Sequence, residues 1–535
     1  MPARPLHTLR FTVAALCATA MLSLGAPAQA QVTAFKQAVA ESIAGSGAVA
    51  RYYRQRDFAP IWTGADDAGR ARRSALFEAF SLAGLHNLPT SKFDSADLRA
   101  RMAAAKTPRD MGKLDVALTR LFLEFGRDLQ TGILTPSEVV KDIHRVVPLR
   151  DASFYLDGIT SPDPRAFVRA LVPATGEYTR LLKTKLDLQG QLAHGGWGPA
   201  VPAKSLKPGA EGRAVVALRN RLIAMGYLAA NPRMTYDGAM QAAVMEFQAD
   251  HGLEQDGVAG AGTMDEINVP MEDRLKSVIV AMERERWLNR PRGDRHVLVN
   301  LADFHARIVD FDQVTFQTRS VIGQNTNGRR SPEFSDVMEH MIINPTWNVP
   351  RSIATKEYLP ALKRNPFSNS HLRVINSRGQ VVDRGSVDFS NYSEKNFPFD
   401  LKQPPSNSNA LGLVKFMFPN KYNIYLHDTP SKSLFARESR AFSHGCIRLA
   451  DPFDFAYALL AVQEADPEPF FQSILRTRRE TLVPLEQPIQ VHLIYRTAVT
   501  QAKGRINFRR DVYGRDAAIW EALARAGVSL NSVQG

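Results

Sequence analysis

The hydrophobic pattern changes period near Gly293, and this change constrains the fold more than any other sequence feature. Before that glycine, apolar residues recur every three or four positions, as in 115–125, which is typical of amphipathic helices. After it, the alternating segments 296–301 and 306–311 predict strands. A chain of 535 residues is too long for one core. The pattern therefore predicts a multidomain α+β protein, helical first and β-rich last.

Two helical units precede the change. Residues 31–200 are predicted to form a helical scaffold domain in which Trp62 packs in the core, and the glycines and prolines of 195–202 are typical of a linker. Residues 205–270 form a compact unit with three predicted helices, at 214–222, at 239–248 and from 263.

The β-rich domain is predicted to span residues 293–500 and to be followed by a C-terminal segment, 501–535. A stretch rich in Asn, Ser, Pro and charge, residues 350–408, interrupts it. Long insertions in compact domains are often lids or binding loops, so we predict an inserted lid. A loose surface excursion is the alternative. A further strand is predicted at 422–427, where a turn signal follows.

The first thirty residues have the pattern of a secretory signal peptide. A basic start is followed by an apolar run at 11–24 and a small-residue cleavage pattern that ends at Ala30. The run is shorter than the roughly 20 residues that a spanning helix needs, so export without a transmembrane anchor is expected. The formal charge of +13 suits an anionic wall or envelope surface, with peripheral association there. A basic protein without a charged partner is the alternative, and no nucleic-acid partner is expected.

The chain has two cysteines, and Cys17 lies inside the predicted signal peptide. Lipid attachment at Cys17 is disfavoured, because Leu16 and the apolar residues after it make a poor lipoprotein site. The mature chain then contains Cys446 alone and can form no internal disulfide. A solitary thiol in an oxidising compartment is a candidate nucleophile.

The sequence around Cys446 offers what thiol catalysis needs. A strand that ends at His427 would turn this histidine and Tyr425 towards a groove, and the fifteen residues between His427 and Ser443 allow a loop to return. Gly445 permits close backbone approach, and the amides of Gly445 and Cys446 can point at an oxyanion. A zinc site is disfavoured, because His427, His444 and Cys446 would supply only three ligands.

The spacing of His427 from Ser443-His444-Gly445-Cys446 resembles the signature of the YkuD-type L,D-transpeptidases. Segments 344–350, 409–412 and 425–430 resemble the longer, periplasmic YcbB-like subgroup, and residues 205–270 resemble a three-helix peptidoglycan-binding domain. The order of scaffold, peptidoglycan-binding and catalytic domains is similar to that subgroup. The resemblance implies a periplasmic enzyme of cell-wall biogenesis that acts on peptidoglycan stem peptides and needs no cofactor or metal.

The resemblance also implies roles for the residues. Cys446 would attack a tetrapeptide stem between its diamino acid and D-Ala, and His427 would be the base, oriented by the Asp428 carbonyl. The acyl group would pass to a second stem and form a 3-3 cross-link. Ser443, His444, Gly445 and Tyr425 would shape the pocket and oxyanion site. Carbapenems would acylate the same thiol.

Several alternatives stay open. Arg448 stands where many family members carry Asn, and it would either hold a substrate carboxylate or brace the loop. The acceptor amine would belong to a stem diamino acid, a free D-amino acid or a protein lysine. The peptidoglycan-binding unit would bind the wall or act as a spacer. The rival functions are an L,D-carboxypeptidase that trims tetrapeptides and a wall-binding scaffold with an inactive catalytic domain.

Overall fold

The computed structural model describes residues 33–45, 47–501 and 504–530. The predicted signal peptide, residues 1–30, lies outside these ranges. Within the described ranges, no helix is both long enough and apolar enough to cross a membrane.

The amino-terminal part is helical and packs around one long helix. Its longest member begins with a Thr107–Asp110 capping box and a proline at its first position, which together satisfy the free amides of the first turn. Trp62 is fully buried, and its indole nitrogen donates to Thr119 of that helix at 2.9 Å. The helices are α1 (Ala34–Ser42), α2 (Gly47–Gln55), α3 (Asp67–Ser81), α4 (Ser95–Ala104), α5 (Pro108–Thr131), α6 (Pro136–Val139), α7 (Ala152–Ile159), α8 (Pro164–Ala170) and α9 (Gly176–Ala193).

A small three-helix unit follows with its own core. It contains α10 (Arg213–Ala224), α11 (Gly238–Asp250) and α12 (Ala261–Ile267). The Gln248 side chain holds the loop before α12, because its amide nitrogen donates to Asp256 and to the Val258 carbonyl. Helix α13 (Met271–Trp287) then leads into the β-rich domain.

Eight strands close on themselves into a barrel, and a ninth, β10, pairs with β3. The order is β10-β3-β11-β9-β8-β4-β12-β1-β2, and β2 also pairs with β3. The apolar side chains of these strands form one core with the helices that follow β11. The strands are β1 (Arg295–Asn300), β2 (His305–Asp310), β3 (Gln313–Gly323), β4 (Phe334–Ile343), β8 (Val414–Met417), β9 (Leu426–His427), β10 (Ala441–Ser443), β11 (Ile447–Leu449) and β12 (Thr481–Ile494).

The insertion, residues 350–408, is an ordered layer with a small core of its own. A helix runs from α14 (Arg351–Ile353) through a π-helical turn, Ala354–Tyr358, into α15 (Leu359–Arg364). A three-stranded sheet pairs β7 (Asp400–Gln403) with β5 (Trp347–Asn348) and β6 (Arg373–Ile375). Tyr425 of the barrel packs against both the barrel core and the core of the insertion.

The chain after β11 returns to the barrel and then to α13. Helices α16 (Pro452–Leu460) and α17 (Pro467–Arg476) precede β12, which lies between β4 and β1. The short pair β13 (Ala498–Val499) and β14 (Asn507–Phe508) and the last helix, α18 (Arg515–Arg525), pack with α13. The described residues 504–530 of the predicted C-terminal segment therefore contribute to the core around α13.

One predicted strand is shorter than expected. The segment 422–427 was expected to alternate throughout, but only Leu426–His427 is strand. The Asn420 side chain explains the difference, because its oxygen accepts from the amides of Tyr422 and Ile424 and its nitrogen donates to the Ile424 carbonyl. These local bonds hold a turn in which Asn423 adopts a positive φ of 55°.

Candidate active site

One face of the barrel brings together polar residues that are far apart in sequence. Strand β11 pairs with β9 so that Arg448 lies opposite His427, and β8 pairs with β9 so that Lys415 lies opposite the same histidine. Directly paired residues point to one face of a sheet, and residues two apart along a strand do so as well. Cys446, two residues before Arg448, therefore shares a face with His427.

The Cys446 thiol is half-buried beside the turn that precedes β9. Its Sγ lies 3.5 Å from the Asn423 carbonyl. Desolvation raises the pKa of this thiol to about 11, although hydrogen bonds from the Tyr425 amide and hydroxyl and the charges of Arg448 and Lys415 lower it. The resting thiol is therefore neutral at pH 7 and needs a base before it can attack.

His427 is the candidate for that base. Its Nδ1 lies 2.5 Å from the Asp428 carbonyl oxygen, and because a carbonyl only accepts, Nδ1 carries the proton and Nε2 keeps a lone pair. Burial, together with the Arg448 charge, lowers the pKa of this imidazole to about 3, although hydrogen bonds to the Asp428 and Leu411 carbonyls raise it. The imidazole is therefore neutral at pH 7 and can accept a proton. None of the described hydrogen bonds joins it directly to the thiol.

Asp428 fixes the backbone that holds this histidine. Its carboxylate accepts from the Leu413 amide at 2.9 Å and pairs with Lys432 at 2.8 Å. Gly412 makes room for it, because a Cβ there would lie 2.2 Å from the Asp428 Oδ2. The Asp428 side chain is therefore a fixed support for the carbonyl that orients His427.

The loop before Cys446 is held from two sides. The Ser443 hydroxyl accepts from the Gly445 amide at 3.1 Å and donates to the Cys446 carbonyl at 2.6 Å. From behind, the Ser331 hydroxyl donates to the Gly445 carbonyl at 2.6 Å. The Gly445 amide was expected to be an oxyanion donor, but it is already bonded to Ser443. None of the described hydrogen bonds uses the Cys446 amide. This amide is therefore the backbone donor of the loop that stays available for an oxyanion.

His444 faces the insertion. Its Nε2 donates to the Glu357 carboxylate at 2.7 Å, and Arg329 pairs with the same oxygen at 2.5 Å. His444 was predicted to shape the pocket. In the structure its ring also contacts the predicted lid.

Two cations flank His427, one on each neighbouring strand. Neither Arg448 nor Lys415 has a hydrogen bond or ion pair to any described residue, and the Arg448 Nε is buried without a partner. Arg448 also lines a cavity of about 340 Å³ below the insertion. The site therefore carries uncompensated positive charge on both sides of its base.

Sequence reasoning missed Lys415, Glu357 and Gly412. A signal existed for Lys415, because it interrupts the apolar strand Val414–Met417 and is only 8% exposed. No local pattern marks Glu357, which lies 87 residues before its partner His444. The described residues contain no cluster of three or more metal-ligating side chains. The arrangement supports nucleophilic catalysis by a thiol with a neutral histidine as base.

Comparison with known families decides what kind of domain carries this site. Residues 294–467 match the family model described as L,D-transpeptidase catalytic domain. They are a YkuD-type L,D-transpeptidase domain. Residues 47–184 match a scaffold domain, and residues 211–267 match a family described as "Putative peptidoglycan binding domain". The L,D-transpeptidase domain thus follows the scaffold and peptidoglycan-binding domains, so the resemblance inferred from the sequence is confirmed.

Individual proteins match only part of this chain. A protein of Haemophilus influenzae (strain ATCC 51907 / DSM 11121 / KW20 / Rd), described as "Putative L,D-transpeptidase", is 30% identical over 242 residues, which cover 45% of this chain and 48% of that protein. This chain thus spans about half the length of the Haemophilus influenzae protein. A crystal structure of the L,D-transpeptidase (residues 123–326) from Xylanimonas cellulosilytica DSM 15894 is 17% identical and covers 55% of this chain and 99% of that chain. Its TM-score of 0.17 is too low for an argument from shape.

Proposed function

We propose that this protein is a peptidoglycan L,D-transpeptidase that forms 3-3 cross-links through an acyl-enzyme on Cys446. The observation that carries the proposal is the placement of Cys446 and His427 on one face of an L,D-transpeptidase domain, with His427 Nδ1 bonded to the Asp428 carbonyl. This bond fixes the tautomer in which Nε2 can take the thiol proton.

Acylation begins from a neutral Cys446 thiol and a neutral His427 imidazole. As the sulfur attacks the carbonyl between the diamino acid and D-Ala of a tetrapeptide stem, Nε2 of His427 takes the thiol proton. The tetrahedral intermediate then collapses, the C–N bond breaks, and the imidazolium returns the proton to the amine of the leaving D-Ala. The products are a thioester on Cys446 and free D-Ala.

The developing oxyanion needs donors that are already in place. The Cys446 amide is one, since no described hydrogen bond uses it. The Tyr425 hydroxyl is proposed as the second, because it hydrogen-bonds to the sulfur.

The second half-reaction transfers the acyl group to an amine. His427 accepts a proton from the side-chain amine of a second stem as the nitrogen attacks the thioester carbonyl. The C–S bond then breaks, and the imidazolium returns the proton to the Cys446 sulfur, which restores the thiol. We propose that the insertion acts as a lid here, because water that reached the thioester would give a tripeptide instead of a dimer. The contact from Glu357 to His444 supports this role, since it joins the insertion to the loop of Cys446.

The remaining parts of the proposal concern location and inhibition. Export through the signal peptide would place the enzyme in the periplasm, where the basic chain and the peptidoglycan-binding domain would associate with the wall. The thiol would also be acylated by carbapenems, which present a strained carbonyl to the same nucleophile.

The deciding experiment uses the full mature chain and disaccharide tetrapeptides that contain a diamino acid, with product masses as the readout. We expect dimers and released D-Ala, and we expect Cys446→Ala to form neither. Tripeptide without dimer would show a carboxypeptidase, and no change would show an inactive wall-binding protein. Dimers from Cys446→Ala would rule out the thiol as nucleophile.

A further inference from the structure

The partnerless guanidinium of Arg448 is exceptional in this fold. Buried arginines of the described residues otherwise have acceptors, such as Glu333 for Arg284 at 2.6 Å and Glu266 for Arg274 at 2.6 Å. A buried Nε without a partner is common to Arg274 and Arg448, but no guanidinium nitrogen of Arg448 has a hydrogen bond or ion pair to a described residue. Arg448 is half-buried, and a partly desolvated guanidinium without an anion is unfavourable, so the site is complementary to an anionic group that arrives with a ligand.

Geometry limits which ligand group that is. Arg448 lies opposite His427 on the neighbouring strand, about 4.8 Å away by the usual strand spacing. In the proposed reaction His427 protonates the amine of the leaving residue, so this amine lies against the imidazole. One carbon separates the amine of an amino acid from its carboxylate. A free carboxylate on the leaving residue is therefore within reach of the side chain that emerges beside His427.

The cavity next to Arg448 has room for that residue. It encloses about 340 Å³ and is lined by Arg448, by Thr429 and Ser431 after the His427 strand, and by Tyr358 and His371 of the insertion. Lys415, the other partnerless cation, does not line it. Of these two cations, only Arg448 both lacks an ion pair and lines a cavity with room for a small leaving group.

We propose that Arg448 binds the free C-terminal carboxylate of the leaving D-amino acid and so restricts the enzyme to donors that end at that residue. The inference rests on the proposed function and adds the group that selects the donor. A guanidinium suits this role because its planar fork can hold a carboxylate with two parallel hydrogen bonds.

The test compares a tetrapeptide donor that ends in D-Ala with the same donor ending in D-alaninamide. We expect the wild-type enzyme to release the amide about 10- to 100-fold more slowly, the usual range for loss of a charge-assisted hydrogen bond. Arg448→Gln should slow both donors to the extent that its charge stabilises the Cys446 thiolate, but it should slow the acid donor by a further similar factor, so the acid-to-amide ratio approaches one. Arg448→Lys should keep part of the ratio.

Two further variants separate a carboxylate contact from a general effect of charge on the thiol. Lys415→Gln should slow both donors alike, because Lys415 acts on Cys446 through charge and does not line the cavity. Lys421→Gln, an exposed lysine in the turn before β9, should change neither donor. Equal slowing of both donors by Arg448→Gln, or a wild-type enzyme that ignores the amide, would overturn the proposal.

A binding measurement keeps this test independent of turnover. Calorimetric titration of full-length Cys446→Ala with each donor should show weaker binding of the amide by about 10-fold or more, and the added Arg448→Gln change should remove the difference. If the wild-type protein releases no D-Ala but Cys446→Ala still prefers the acid, the proposed reaction fails while the carboxylate site stands. Equal binding of acid and amide by Cys446→Ala overturns the site.

Discussion

Glu357 of the insertion accepts a hydrogen bond from His444 at 2.7 Å, two residues before Cys446. Arg329, in the loop that follows β3, pairs with the same carboxylate oxygen. The insertion is thus joined to the catalytic loop and to a neighbouring loop of the barrel through one side chain. These contacts are about one-third exposed, so each is worth only about 0.2–1 kcal/mol.

Glu357→Ala should therefore loosen the proposed lid without unfolding it. Because water would enter more often, we expect the ratio of tripeptide to dimer to rise about 2- to 5-fold, in line with the loss of two weak contacts. The ratio is measured by product mass spectrometry. Glu394→Ala, an exposed acid elsewhere in the insertion, is the control and should leave it unchanged. An unchanged ratio in Glu357→Ala would count against the lid.

The reactivity of Cys446 should depend on pH in an unusual way. A pKa raised to about 11 means that the thiolate fraction is about 10⁻⁴ at pH 7 and rises tenfold per pH unit up to that value. The rate of alkylation by iodoacetamide should therefore still be rising between pH 8 and pH 10. A plateau near pH 8.5, the usual pKa of a free thiol, would contradict this assignment.

Tyr425→Phe gives a matched comparison for the thiol. The variant keeps the aromatic ring in place and removes the hydroxyl that lowers the pKa of Cys446. Alkylation at pH 8 should become slower, because the thiolate loses a hydrogen-bond donor. Faster alkylation would show that the hydroxyl shields the sulfur instead. Dimer formation should fall as well, since the same hydroxyl is the proposed oxyanion donor.

Local sequence signals were enough to predict most elements of the fold. The three helices between residues 205 and 270 and the first two strands of the barrel lie within a few residues of their predicted positions, because Gly, Pro and capping residues mark their ends. The strand at 422–427 was predicted too long, since the Asn420 side chain competes for the backbone groups of the next residues. Such competition depends on side-chain orientation, which hydrophobic periodicity does not encode.

The candidate site was predictable only where the motif is local. The loop 443–446 and its histidine share a short stretch of chain, and the structure brings them to one face of the barrel. The roles of Glu357 and Lys415 depend on contacts across the insertion and across strands, and no spacing rule connects them to Cys446. The engagement of the Gly445 amide by Ser443 was equally hidden, because it depends on one hydroxyl rotamer.

Gly412→Ala should disable the site indirectly. The new Cβ would lie 2.2 Å from the Asp428 Oδ2, so Asp428 must move, and its carbonyl orients His427. We expect kcat to fall at least about 10-fold, since loss of a positioned general base costs about 10²- to 10⁴-fold in full. The measurement is the rate of D-Ala release.

Gly379→Ala is the matched control for this change. Gly379 has a similar positive φ, 77° against 63° for Gly412, but no atom lies within 4 Å of its virtual Cβ. Both variants should lose about 1 kcal/mol of stability from backbone strain, Gly412→Ala should lose more because of the clash with Asp428, and only Gly412→Ala should lose activity. Equal activity of the two variants would show that the Asp428 carbonyl does not need its fixed position.

A buried charge network behind the site leads to the last prediction. Glu333 lies between Arg284 of α13 at 2.6 Å and Arg515 of α18 at 3.0 Å, and all three side chains are at most 3% exposed. Arg515 also donates to the Ser331 carbonyl at 2.7 Å, and the Ser331 hydroxyl holds Gly445. The network thus joins the helical part of the protein to the catalytic loop.

Glu333→Ala should leave two buried guanidinium groups without their shared anion. Breaking a buried pair in this way costs about 3–5 kcal/mol, which corresponds to a fall of about 6–20 °C in the melting temperature of a domain of this size. Glu333→Gln should cost less, because it keeps the shape and one acceptor oxygen. Glu339→Gln, an exposed acid in the following strand β4, is the control and should melt within about 1–2 °C of the wild type. Calorimetry gives the melting temperature, and D-Ala release below the transition shows whether Gly445 has moved. Wild-type melting of Glu333→Ala would mean that the two arginines find other acceptors, and the link from α13 to the catalytic loop would then not depend on Glu333.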